Sequence, residues 1–262
     1  MRMNGLALVA AGLVLASTAA RAEVKTRELT YKEGKTTLQG FVAWDDAVKG
    51  KRPGVLVIHE WWGHNEHARN QARRLAEAGY VGFALDMYGK GKVATHPNDA
   101  GAMATELNKD PKRVKARFDA ALAQLKRDPR VDKQKIAVVG YCMGGTIALS
   151  MAGAGADLDA VSTFHAGVQN LPQPKKGEVK ARILVNTGAA DPMAPQAAVD
   201  AFKQSMTDAG AKVEVISYPG AKHGFTNPDA DTKGMPALAY NAEADKESWA
   251  NTVQFFRDVF GS

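Results

Sequence analysis

Three residues carry the types and order needed for nucleophilic attack on an acyl carbon: Cys142, Asp191 and His223. Cys142 sits in Gly140-Tyr141-Cys142-Met143-Gly144, a G-x-C-x-G pattern between a β-rich run and a helical run. Such a strand-turn-helix presents a nucleophile on a sharp elbow, and small residues on either side let the strand and helix come together. The turn aims the thiol at the start of the following helix, where free N–H groups and the helix dipole favour a thiolate and a developing oxyanion. The Met143 amide is then one oxyanion donor. Cys142 is the only cysteine, so no internal disulfide is available to it. A free cysteine is commonly just a small buried apolar residue; the elbow pattern argues here for a nucleophile.

A thiol with an ordinary pKa is mostly protonated at neutral pH, so it needs a base, and the base needs an orienting acid. The order nucleophile, acid, histidine recurs in one large group of α/β enzymes. Asp191 follows the run Ile183 to Thr187 and a small-residue loop, and His223 follows the run Val213 to Tyr218. Taken singly, Asp191 could cap the next helix and His223 could be a loop histidine. Their order, each just beyond a strand, favours a triad.

The elements that must hold these residues are legible as alternating patterns. Short apolar runs at Leu38 to Trp44, Val55 to His59, Val81 to Asp86, Ile136 to Tyr141, Ala160 to Phe164, Ile183 to Thr187 and Val213 to Tyr218 read as strands. Helical periodicity covers His67 to Ala78, Arg113 to Lys126, Thr146 to Ala152, Pro195 to Ala209 and Asn241 to Phe260. Strands that are apolar throughout are covered on both faces. The alternation predicts an α/β fold, a doubly wound, mostly parallel sheet with helices on both faces, and sites at the carboxyl ends of the strands. Lys25 to Tyr31 and Leu38 to Trp44 read as an antiparallel hairpin that opens the sheet.

The 262 residues, 45% hydrophobic and 24% charged, fit one domain with an ample core. Residues 1–22 stand apart. Arg2, an apolar run from Leu6 to Ala16 and Ala20-Arg21-Ala22 match a cleaved signal peptide, so a mature domain over 23–262 and a periplasmic or secreted location are expected. Without Arg2 and Arg21 the formal charge falls from +6 to +4. The basic residues are interleaved with acids, which argues against a nucleic-acid partner.

Gly140-Tyr-Cys-Met-Gly-Gly145, Gly188-Ala-Ala-Asp191 and His223-Gly-Phe225 together resemble the dienelactone hydrolase family, the cysteine-nucleophile branch of the α/β-hydrolases. The likeness spans roughly residues 36 to 260. It implies an α/β-hydrolase fold and cleavage of a carboxylic ester or lactone. It also implies a role for Glu60, which follows the strand ending at His59: in this family a glutamate there helps to deprotonate the thiol. The next amide, Trp61, would be the second oxyanion donor. Family members that open dienelactones grip a carboxylate with two arginines. Here Lys90 and Asn227 stand in those places, and lysine lacks the bidentate fork of arginine. Gly224 replaces a serine often found after the histidine. Trp61, Trp62, Tyr88 and Phe225 are candidate pocket walls.

Other chemistries fit less well. His59, Glu60, His64 and His67 cluster, but His59 and His64 are five apart rather than four, and His59 ends a strand, so a zinc helix motif is not matched. His64 and His67 read as surface residues at a helix start. A two-cysteine redox cycle is excluded by the single thiol. A thioesterase, or a non-catalytic binding protein on the same fold, remains open. The expectation is a monomeric enzyme without metal or organic cofactor, acting on a small-molecule ester or lactone, with no stable membrane anchor.

Overall fold

A computed structural model describes residues 23–261, so the expected signal peptide lies outside the described residues. The chain alternates strands and helices: β1 (Val24–Glu33), β2 (Thr36–Asp45), β3 (Arg52–Ile58), α1 (Glu66–Glu77), β4 (Val81–Leu85), α2 (Pro97–Asn108), α3 (Pro111–Arg127), β5 (Val131–Tyr141), α4 (Met143–Gly153), β6 (Ala160–Phe164), β7 (Arg182–Gly188), α5 (Gln196–Asp208), β8 (Lys212–Tyr218) and α6 (Ala242–Phe260). The eight strands form one sheet in the order β1-β2-β4-β3-β5-β6-β7-β8. β1 and β2 pair antiparallel, β2 joins β4 antiparallel, and every pairing beyond is parallel. The opening hairpin and the doubly wound parallel sheet are as expected.

The apolar strands divide their side chains between two cores. Leu56 and Ile58 of β3, Ile136 and Val138 of β5 and Ile183 and Val185 of β7 pack on one face with Phe118 of α3, Ile147 of α4 and Phe202 of α5. Val55, Val57, Ala137, Val139 and Leu184 turn to the other face, under Leu75 of α1 and Phe256 of α6. The period-two alternation thus supplies both layers from runs that look uniformly apolar in sequence.

One helix was not visible as such in the sequence. α2 lies in the stretch Lys90 to Asp110; its residues include Gly and Asn, which favour helix weakly. It starts on His96, whose Nδ1 accepts the Asn98 N–H at 3.2 Å, with Pro97 in the first turn. Ala94 and Ala100 from this stretch meet Trp62, Ala230 and Leu238 in a small third apolar cluster, with Trp61 and Met103 packed against it.

Two close approaches fix the centre of the sheet edge. A Cβ on Gly140 would lie 2.4 Å from the Gly144 carbonyl oxygen, and a Cβ on Gly144 would lie 2.3 Å from that of Ile58. The start of α4 therefore rests on the main chains of its own strand and of β3. Gly144→Ala should cost about 1–3 kcal/mol of stability by overpacking, measured as a lower urea midpoint; an unchanged midpoint would refute this contact.

Candidate active site

Cys142 occupies the elbow between β5 and α4 with φ 52° and ψ −119°, a left-handed conformation unusual for a residue with a side chain. Its N–H donates to the Phe164 carbonyl of β6 at 3.0 Å, and its own carbonyl accepts from Gly145 and Thr146. α1, α3 and α6 are each capped by an Asn or Asp side chain, but α4 has no side-chain cap. The Met143 N–H has no hydrogen-bond partner among the described residues, and neither does that of Trp61 in the turn after β3. Because Gly144 seats on Ile58 and His59, these two free donors come from adjoining backbones.

The loops after β7 and β8 bring the acid and the histidine together. His223 Nδ1–H donates to Asp191 Oδ2 at 2.9 Å. The other carboxylate oxygen, Oδ1, accepts the Met193 N–H at 2.8 Å. Asp191 therefore organises its own turn while it orients the imidazole. His223 Nε2 is buried without a hydrogen bond of standard geometry, and the group it faces is the Cys142 thiol. Burial alone would lower the imidazole pKa; the Cys142 sulfur and the Asp191 carboxylate outweigh it and push the value up to about 10.

Glu60 is 4% exposed at the end of β3. Its Oε2 accepts from Asn227 Nδ2 at 2.6 Å and lies 3.7 Å from His67 Nδ1. Asn227, which stands where the family's carboxylate-gripping arginine would be, is thus occupied with Glu60. Lys90 is exposed, and its N–H donates to the Thr37 carbonyl at 2.9 Å. Tyr88 is 4% exposed, packs on His59 at 5.1 Å between ring centroids, and places its hydroxyl 2.9 Å from the Trp61 carbonyl. Trp61 is half-buried and Trp62 buried, edge to face at 5.1 Å. Phe225 differs from expectation. It is fully buried in the core beneath α1 and α6, against His165 and Tyr218, so it backs the His223 loop rather than walling a pocket.

His64 and His67 also differ from expectation: they are only 6% and 8% exposed. His64 Nε2–H donates to the Ala84 carbonyl at 3.1 Å, and the His67 ring stands edge-on to Tyr141. Both lie on the inner side of α1 and the loop before it, where the sheet edge leaves buried carbonyls in need of donors. Among the described residues no three His, Cys, Asp or Glu side chains converge as a metal site would need.

Sequence reasoning missed His165. It follows β6, as Cys142 follows β5, and it also has positive φ, 42°. Its Nε2 pairs with Thr226 Oγ1 at 2.9 Å, and its ring stands edge to face with His223 at 5.1 Å. Burial, reinforced by the neighbouring His223, holds its pKa well below the usual imidazole range, so this ring is neutral. Its position just after a strand was the available signal; no motif marked it.

The sequence profile of the dienelactone hydrolase family matches residues 38–260. The solved structure of m3DLH is 38% identical, with a TM-score of 0.86 over 90% of this chain and 99% of that one. A dienelactone hydrolase-like promiscuous phosphotriesterase from metagenomic libraries is 33% identical, with a TM-score of 0.84 over 90% and 98%. A protein of Aquifex aeolicus, provisionally named a carboxymethylenebutenolidase, is 28% identical over 231 residues, 87% of this chain and 96% of its own. The fold is that of the α/β-hydrolases. This chain belongs to the dienelactone hydrolase family and is a hydrolase of the ester or lactone type.

The histidine's charge state can be read directly. A pKa raised in the fold adds stability that is fully present below the ordinary imidazole value and lost as pH rises through about 10. In an NMR titration His223 should stay protonated past pH 8, and Cys142→Ala and Asp191→Asn should each move its titration to lower pH. A wild-type midpoint near the unperturbed value would contradict the arrangement.

Proposed function

We propose that Cys142, His223 and Asp191 act as nucleophile, proton carrier and orienting acid in the hydrolysis of a neutral carboxylic ester or lactone. The carrying observation is the arrangement at the elbow. A left-handed Cys142 stands at an uncapped helix start, opposite a buried histidine nitrogen whose partner nitrogen is already bonded to Asp191.

In this reading the thiol proton already rests on His223, and Asp191 stabilises the imidazolium. The sulfur attacks the carbonyl carbon, and the carbonyl π electrons move onto oxygen, where the Met143 and Trp61 amides receive the charge. Collapse re-forms the carbonyl and breaks the carbon–oxygen bond to the leaving group, which takes the proton from His223. The product is a thioester acyl-enzyme. Water then gives a proton to His223 and attacks the thioester carbon. The carbon–sulfur bond breaks, the acid departs, and the proton taken from water stays on His223, which restores the resting pair. Glu60, held by Asn227 beside His67, tunes the resting sulfur. All of these groups come from one chain, so the reading needs no second copy. Neutral substrates are favoured because Lys90 is solvent-exposed and Asn227 is committed to Glu60.

The mature protein should hydrolyse a small activated aryl ester, with Cys142→Ala and His223→Ala each losing at least roughly three orders of magnitude in kcat, the scale for removing a member of such a unit. Equal hydrolysis by Cys142→Ala would refute the nucleophile. Among matched substrates a neutral ester should show the higher kcat/KM, and preference for its carboxylate-bearing analogue would overturn that part of the reading.

Export belongs to the same proposal and rests on residues 1–22 alone. Intact mass of the protein recovered from an exporting host should correspond to a chain starting near Glu23; a full-length chain retained in the cytosol would refute it.

A further inference from the structure

The two amides assigned to the oxyanion come from places 82 residues apart, the turn after β3 and the first turn of α4. An oxyanion pocket works only when its donors sit within hydrogen-bond reach of the tetrahedral oxygen, and misplacement on the ångström scale is costly. Something must therefore hold the two backbones at a set spacing. The seat of Gly144 on Ile58 and His59 fixes the helix end against the strand end, but Trp61 lies beyond that contact, in a turn.

Both peptides around Trp61 are pinned. The Glu60 carbonyl accepts from His59 Nδ1 at 2.5 Å and from the Gly63 N–H at 3.1 Å, so the Glu60–Trp61 peptide plane is set and its N–H points the opposite way. The Trp61 carbonyl accepts from the Tyr88 hydroxyl at 2.9 Å. That same hydroxyl lies 3.3 Å from Met143 Sδ. Tyr88 is thus in contact with both residues whose amides are unpartnered.

Tyr88 is itself firmly held. Asp86 Oδ1 accepts from the N–H groups of Tyr88 and Gly89, both at 2.8 Å, and Asp86 Oδ2 accepts from the Gln39 N–H at 3.1 Å. The ring packs on His59, whose Nε2 accepts the Met87 N–H at 3.1 Å. Burial pushes the phenol pKa upward, so the hydroxyl keeps the proton it donates.

We propose that Tyr88 is a positioning residue for the oxyanion pocket: its hydroxyl ties the turn after β3 to the first turn of α4 and sets the spacing of the Trp61 and Met143 amides. This rests on the thiol-hydrolase reading given above. The tie matters most when the carbonyl oxygen carries full charge, so its loss falls on the chemical step rather than on substrate binding. Attack of the same sulfur on a reagent without a carbonyl oxyanion does not use it.

The test compares wild type, Tyr88→Phe, Met143→Leu and Cys142→Ala in three assays. These are turnover of an aryl acetate, alkylation by iodoacetamide across pH, and inhibition by an aryl trifluoromethyl ketone, whose hemithioketal places an oxyanion in the pocket. Tyr88→Phe keeps the ring packing. It should lower kcat by roughly one to two orders of magnitude, less than the 10²–10³ lost with a donor itself, while KM stays near wild type. Ketone affinity should fall by the same factor as kcat/KM, and the alkylation profile should not move. Met143→Leu, which removes the sulfur and keeps an apolar side chain of similar volume, should show a smaller loss with the same pattern. Full kcat in Tyr88→Phe, or a loss shared equally by alkylation, would overturn the positioning role. If Cys142→Ala is inactive in that same experiment, the thiol reading stands while this inference falls. Wild-type turnover by Cys142→Ala would remove both.

Discussion

The first turn of α4 sits on the main chain of β3, so close that a Cβ on Gly144 would come within 2.3 Å of the Ile58 carbonyl oxygen. That contact sets the spacing of the whole carboxyl edge. It requires glycine at both ends of the elbow, forces the residue between them into a left-handed conformation, and leaves the helix start with no capping side chain. The cost of a left-handed residue with a side chain is of order 1–3 kcal/mol and persists only where surrounding structure compels it. Here the compulsion is the parallel pairing of β3, β5 and β6, continuous to within a residue of the turn. The loops after β7 and β8 then need only reach across one end of a sheet whose register is already determined.

Burial holds three histidines at this edge neutral and is overruled at a fourth. Five of the six histidines are buried. Burial lowers His59 and His165, and it pushes His64 down to about 4. The same desolvation acts on His223, yet its value rises, because a sulfur faces one nitrogen and a carboxylate the other. The protonated ring is therefore selected by partners and not by exposure. The neutral rings serve as hydrogen-bond struts: His59 between Glu60 and Met87, His64 under Ala84, and His165 against Thr226.

Much of this was legible in sequence because it is encoded locally. The apolar runs mark the strands, and Cys142 between glycines marks the elbow. Asp191 and His223 stand out because each lies shortly beyond the end of a strand. The features that escaped depend on contacts made over long sequence distances. His67 looks like a solvated helix residue until Thr226, 159 positions away, is seen to cover it. Phe225 looked like a pocket wall from its place beside the histidine, but the strand end turns it into the core. α2 is held by packing around Trp61 and Trp62, so its own weakly helical residues could not announce it. Asn227 read as a missing arginine; its actual bond to Glu60 depends on a loop geometry that no spacing rule supplies.

The uncapped start of α4 links folding to occupancy. Most helices satisfy their leading amides with a capping side chain, and α1, α3 and α6 do so here with Asn or Asp. α4, like α5, has no capping side chain, and of the two it is α4 that begins at Cys142. A bound oxyanion would complete the helix as well as the reaction geometry, so one set of hydrogen bonds belongs to both the architecture and the passing substrate. In the proposed mechanism this terminus is finished only while an oxyanion is held, once in each turnover.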